Sequence, residues 1–265
     1  MIRFPDIANA IQVRHLQVPL EHAVSFGPDH PSDSASAVLV ARGFDRAPVL
    51  DGHSLVGFVE ASRLEGATGP IRDLVTPLRP EQLVSADAPV SQALEWLLDA
   101  PLLFVLSGRR VTGFFVQGDL NKQPARLYFY LLVATLEIGL ATQLRQWRGR
   151  DENRLLDRMP LAVRKRALIA REEAMKVDTE VDLVAHLTFS DVLRVVQRID
   201  EIRVPLGSDT RKHWETRTGA LTDLRNAVMH PTRELLGADR TLQDLVNLDV
   251  LLRDLLARLE DVTAA

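Results

Sequence analysis

The chain has 265 residues, 46% of them hydrophobic, and carries 32 Lys+Arg against 36 Asp+Glu for a formal net charge of −4. That length can bury one large core or two smaller ones, and the mild acidic balance excludes a protein wrapped in nucleic acid by a global positive field. Cysteine is absent, which excludes disulfides, thiolate nucleophiles, zinc ribbons and iron–sulfur clusters and fits a reducing compartment.

Met1 to Asp6 open the chain without an apolar core of secretory length. Short apolar runs punctuated by Pro and Gly follow. A helical stretch over 34–43 leads to a strand at Ala47-Pro48-Val49-Leu50, a tight turn at Asp51-Gly52 and a second strand over 54–59. The pattern then returns. A helix over 90–99 places Val90, Ala93, Leu94 and Leu97 on one face. After it come a strand over 102–106, a turn at Ser107-Gly108 and a strand over 111–116. Aligning Gly57 with Gly113 gives a repeat of about 56 residues.

At Asn121-Lys122-Gln123-Pro124 the character changes, with Pro124 suited to the first turn of a helix. Helical patterns cover 125–148, 160–176, 181–202, 211–230 and 241–262, with breaks at Gly149, Pro160, Pro205-Leu206-Gly207 and Pro231. Ser208 or Asp209 is expected to cap the fourth of these helices. The most apolar run, Leu127 to Leu144, is interrupted by Thr135, Glu137, Gly139 and Gln143, whereas a membrane span needs about 20 largely apolar residues without charge. It reads as the buried helix of a soluble, cytoplasmic protein with no membrane partner. Acidic and basic residues balance at 22 each over 124–265, against 14 acidic and 10 basic over 1–123. Any nucleic-acid contact in the second half must therefore come from a local patch.

The chemistry-bearing segment is Arg225-Asn226-Ala227-Val228-Met229-His230-Pro231. With helical residues stepping about 100°, Asn226 and His230 share the face opposite the apolar stripe, and Arg225 lies at the stripe's edge. A guanidinium can hold a phosphate in bidentate fashion, a histidine can move protons and an amide can orient either group. That kit suffices for attack of an RNA 2′-hydroxyl on its neighbouring phosphate without a metal. The alternative is a solvated polar face with His230 at a helix stop. Glu137 is a candidate supporting residue: a buried carboxylate needs a partner, and Arg225 is one, unless Glu137 lies on an exposed stripe. Arg164, Lys165 and Arg166 form the densest basic run, an RNA grip or a solvated helix face. The seven His fall in no metal-ligand spacing and no phosphate loop appears, so neither a metal nor a required cofactor is expected.

The first half, over about 10–122, resembles a tandem CBS module through Pro48-Val49-Leu50-Asp51-Gly52…Leu55-Val56-Gly57-Phe58-Val59 and Val84…Ala88-Pro89-Val90…Ala93-Leu94. The resemblance implies an adenine nucleotide as regulatory ligand. The family's Gly, Ser/Thr three on and Asp six on become Gly113, Val116 and Asp119 in the second repeat, so only Asp119 is carried over. They become Gly57, Glu60 and Arg63 in the first, where neither polar position survives. Asp119 is either a ligand contact or an N-cap of the junction helix in a module that serves dimerisation.

The second half, over about 125–262, resembles the HEPN family through Arg225, Asn226 and His230. That resemblance implies a metal-independent endoribonuclease leaving 2′,3′-cyclic phosphate and 5′-hydroxyl ends, a toxin or antiviral-defence role, and a homodimer whose two motifs face one composite site. Some family toxins carry a tyrosine two positions after the His; Thr232 stands there, which speaks against that form of control. The expectation is thus an α+β tandem CBS-like domain over 1–123 and an all-α HEPN-like bundle over 124–265. The alternative function is a non-catalytic adenine-nucleotide sensor or interaction scaffold.

Overall fold

The structure is a computed structural model that describes residues 11–177 and 182–264. The chain divides into two compact units, one ending at Ala125 and the other running on from Arg126.

The first unit is α+β. In chain order it contains β1 (Val18–Pro19), α1 (Ser32–Arg42), β2 (Arg46–Asp51), β3 (Ser54–Glu60), α2 (Ala61–Leu64), β4 (Thr76–Pro77), β5 (Leu83–Ser85), α3 (Val90–Asp99), β6 (Leu102–Ser107) and β7 (Arg110–Val116). They form a three-stranded sheet, β2-β3-β4, and a four-stranded sheet, β1-β7-β6-β5. The 56-residue repeat is structural down to its irregularities. Each hairpin shifts register at the same place, between Val49 and Leu50 in one and Val105 and Leu106 in the other. Each closes on a glycine in the left-handed region, Gly52 at φ 60° and Gly108 at φ 60°. Each is flanked by an antiparallel edge strand that crosses its repeat glycine, with Gly57 opposite Pro77 and Gly113 opposite Pro19. A Cβ on Gly57 would stand on the Thr76 carbonyl oxygen, and one on Gly113 would lie 2.6 Å from Val18 O. Only hydrogen fits between those backbones.

The apolar periodicity of α3 is spent on the core, since Val90, Ala93, Leu94 and Leu97 are all fully buried. Phe26, Leu39, Val49, Val59 and Ile71 build the core of the first repeat. Phe58 and Phe104 bring the two hairpins together at 6.1 Å between ring centroids.

Among the described residues the second unit holds no strand. Its helices are α4 (Gln123–Arg148), α5 (Glu152–Leu156), α6 (Leu161–Lys176), α7 (Phe189–Val196), α8 (Asp200–Arg203), α9 (Arg211–Thr218), α10 (Leu221–Met229) and α11 (Leu242–Ala264). By length and composition alone α4 could cross a membrane. Here its apolar residues Tyr128, Phe129, Leu132, Leu136, Leu140 and Leu144 lie at or near zero exposure inside the unit.

Local polar chemistry changes the expected helices. The pattern over 181–202 is not one helix; its first residue lies outside the described residues. A single turn at Leu183–His186 ends before Thr188, whose hydroxyl accepts from the Asp191 N–H at 3.3 Å and starts α7 afresh. The pattern over 211–230 breaks at Gly219-Ala220, where glycine is among the poorest helix formers. Thr210, rather than Ser208 or Asp209, caps α9 by accepting from the His213 N–H at 3.1 Å. Asp151 caps the short α5 that periodicity alone does not reveal.

Candidate functional site

The Arg225–His230 segment occupies the end of α10. Leu221, Leu224, Ala227 and Val228 are buried and hold the helix in the unit, while Arg225 and Asn226 are half-buried and His230 is exposed. His230 is the C-cap, with φ −114° and ψ 98°. It has left the helix, so its side chain is not aligned with Asn226 by the helical step expected from the sequence. The residue before a proline is driven towards this extended region, and Pro231 follows. The last turn still closes, because the His230 N–H donates to the Asn226 carbonyl at 3.1 Å. No hydrogen bond or ion pair occupies the side chains of Arg225, Asn226 or His230 among the described residues.

Glu137 on α4 is half-buried. Burial pushes its carboxyl above the usual carboxylate value, and the positive charge of Arg225 opposes that rise without cancelling it. The two elements therefore bring a guanidinium and a carboxyl of elevated pKa into each other's field.

The basic run on α6 is partly neutralised. Arg166 donates to the buried Asp191 at 2.6 Å, and the neighbouring Arg171 pairs with Glu152. Lys165 is exposed and Arg164 half-buried. Trp214 is 1% exposed and donates its indole N–H to Leu193 O at 3.0 Å.

Two features of this unit escape sequence reasoning. Arg126, in the first turn of α4, is 7% exposed and donates to the Ala227 carbonyl at 2.8 Å and to the Arg233 carbonyl. Its only sequence signal is a cation set within the apolar face of a helix. A cavity of about 890 Å³ is lined by Arg217, Arg233, Arg240, Asp223, Glu234 and Asp244 among others. Burial pushes the Arg240 guanidinium below its ordinary value, against the pull of Asp223, Asp244 and Asp239. Among the described residues no three His, Asp or Glu side chains gather as metal ligands would.

In the first unit Asp119 sits in a helical turn after β7. Its carboxylate accepts from the Val116 N–H at 2.8 Å and pairs with Lys122 Nζ at 2.8 Å, while Lys122 also donates to Leu16 O at 3.1 Å. Asp119 thus fastens the turn that ends the second repeat. It also lines a cavity of about 560 Å³, together with Arg42, Arg46, Val24, Leu102 and Phe114. A second cavity of about 500 Å³ shares Arg46 and Leu102 and adds Glu60, Arg79 and Asp99. There Arg46 pairs with Glu60 at 3.0 Å across β2 and β3, and Arg63 donates to the Thr76 hydroxyl at 2.9 Å.

No family model matches the chain, and no curated protein does. Solved structures of CBS-domain proteins share part of its trace. CbpB from Streptococcus agalactiae is 19% identical over 49% of this chain and 90% of its own, with a TM-score of 0.40. The CBS-pair protein CBSX2 from Arabidopsis thaliana is 20% identical over 44% of this chain and 95% of its own, at 0.39. A CBS domain-containing protein of unknown function from Bacillus anthracis is 19% identical over 44% and 94%, at 0.39. CBSX2 has also been solved in complex with AMP, and CbpB in complex with c-di-AMP.

Proposed function

We propose that this protein is an adenine-nucleotide sensor whose first unit, built as a tandem CBS-like pair, holds the ligand in the cavity beside Asp119. The observation that carries this reading is the cavity itself. At about 560 Å³ it lies within the range of small-molecule sites, mostly apolar with a few polar groups to fix orientation. Its chemistry divides as a nucleotide requires. Val24, Leu102 and Phe114 offer apolar walls to a base, Arg42 offers a guanidinium fork to phosphate, and Arg46 offers the terminal nitrogens that its Nε bond to Glu60 does not use. Asp119 has acceptor capacity beyond its two present bonds for ribose hydroxyls. Isothermal titration of the whole chain with AMP, ATP and c-di-AMP tests this. Gly118 lines the same cavity, and a Cβ there meets nothing within 4 Å, so Gly118→Phe should keep the fold and abolish binding. A wild-type chain that binds none of the three nucleotides refutes the reading.

A second reading concerns the helical unit, and one observation favours it. Arg225, Asn226 and His230 lie within six residues at a helix end, and no hydrogen bond or ion pair occupies their side chains among the described residues. In this HEPN-type reading Arg225 holds the scissile phosphate, His230 moves the proton and Asn226 orients the substrate. Two copies of the chain would contribute to one composite site. Cleavage of a cellular RNA pool in EDTA by wild-type and His230→Ala protein tests it. Cyclic-phosphate ends from the wild type alone are the expected result; equal activity of the two removes the mechanism.

A further inference from the structure

The end of α10 lacks the usual means of closing a helix. A helix leaves its last four carbonyls without intrahelical donors. Commonly a left-handed glycine follows, and the next N–H groups fold back onto the carbonyls of the last turn. Here the C-cap is His230 and the next residue is Pro231, which has no N–H to fold back. The carbonyl three residues before the cap belongs to Ala227, and Arg126 from another helix supplies its donor at 2.8 Å. The other arm of the same guanidinium reaches the Arg233 carbonyl. Ala227 and Arg233 each lie three residues from His230, one on either side. Two backbone bonds complete the turn, His230 N–H to Asn226 O at 3.1 Å and Arg233 N–H to His230 O at 2.9 Å.

We propose that Arg126 is the positioning residue for His230, replacing the glycine cap that Pro231 rules out and gripping the His230 turn at both ends. The proposal rests on reading Arg225, Asn226 and His230 as the working site of the helical unit. The planar fork matters, because one guanidinium spans two carbonyls that a lysine ammonium, a single point of charge, does not bridge in the same way. A buried cation at the carbonyl end of a helix also complements its dipole. The arrangement leaves the imidazole exposed while the backbone beneath it is fixed, as a proton-transfer group requires.

Arg126→Lys and Arg126→Ala in the full chain test the proposal through two independent readouts. Hydrogen exchange at the His230 and Arg233 amides should rise about tenfold or more in Arg126→Lys, with the rest of the helical unit unchanged. RNA-cleavage kcat should fall about 10–100-fold at nearly constant KM, the signature of a displaced group rather than lost substrate binding. Added guanidinium ion should restore part of kcat to Arg126→Ala and none to His230→Ala. Unchanged exchange at the two amides overturns the proposal, as does exchange that rises evenly throughout the unit. If exchange responds as stated in a protein that cleaves no RNA, the ribonuclease reading fails and the grip on the His230 turn stands.

Discussion

Glu137 and Arg225 oppose one another across two helices: burial raises the pKa of the carboxyl on α4, and the guanidinium on α10 pulls it back only in part. The balance has a thermodynamic sign. A carboxyl whose folded pKa exceeds its unfolded value binds its proton more tightly when folded, so protonation favours the fold. That stabilisation is fully present below the ordinary value of 4.5 and is lost as pH rises through the elevated folded value.

Glu137→Gln should therefore raise the Tm at neutral pH, and the gain should shrink as pH falls towards 4.5. Thermal melts of both proteins across that window check it. A variant less stable than wild type at pH 7 would mean that the attraction of Arg225 outweighs desolvation.

At the repeat glycines the limit is steric. With Gly57 against Thr76 O and Gly113 against Val18 O, an alanine at either position must push an edge strand away, at a cost of about 1–3 kcal/mol. Urea titration should show a lower midpoint for Gly57→Ala and Gly113→Ala, and little change for Gly118→Ala, whose Cβ meets open space.

The Tyr128 hydroxyl donates to the buried Asp249 carboxylate, which Arg253 approaches at 3.7 Å. Tyr128→Phe keeps the ring in the core and leaves a buried carboxyl oxygen without its donor, a loss of about 1–3 kcal/mol. Chemical denaturation should show that loss with an unchanged m-value.

On α6 Arg166 and Lys165 should separate. Arg166→Ala leaves the buried Asp191 without the guanidinium at 2.6 Å, so it should lower the Tm. Lys165→Ala, which breaks no ion pair among the described residues, should leave the Tm alone. Any RNA affinity carried by the run should then fall with Lys165→Ala and weaken in its dependence on salt.

Much of the architecture was legible because periodic apolar patterning and turn chemistry act locally. The helix over 90–99, the two hairpins, their Gly52 and Gly108 turns and the change to helices in the second half all follow from such signals. Helix breaks inside 181–202 and 211–230 were not legible, because the Thr188 cap and the Gly219-Ala220 interruption are polar and backbone features that apolar periodicity does not register. The candidate site was legible as residue types at Arg225, Asn226 and His230, but not as an arrangement. The helical step placed His230 on the Asn226 face, whereas its extended backbone before Pro231 takes it out of that register.

The sequence by itself determined the spacing of the two repeats, which faces of their helices are apolar, and that an Arg, an Asn and a His stand at a helix end. Those properties depend on neighbours within a few residues. Only the tertiary structure decided that Arg126 grips the turn around His230 from about a hundred residues away, that Arg225 acts on Glu137, and that Asp119 both fastens a turn and lines a cavity. Each of these depends on through-space distance and exclusion of water, which set the strength of a charge or hydrogen bond and leave no mark on sequence spacing.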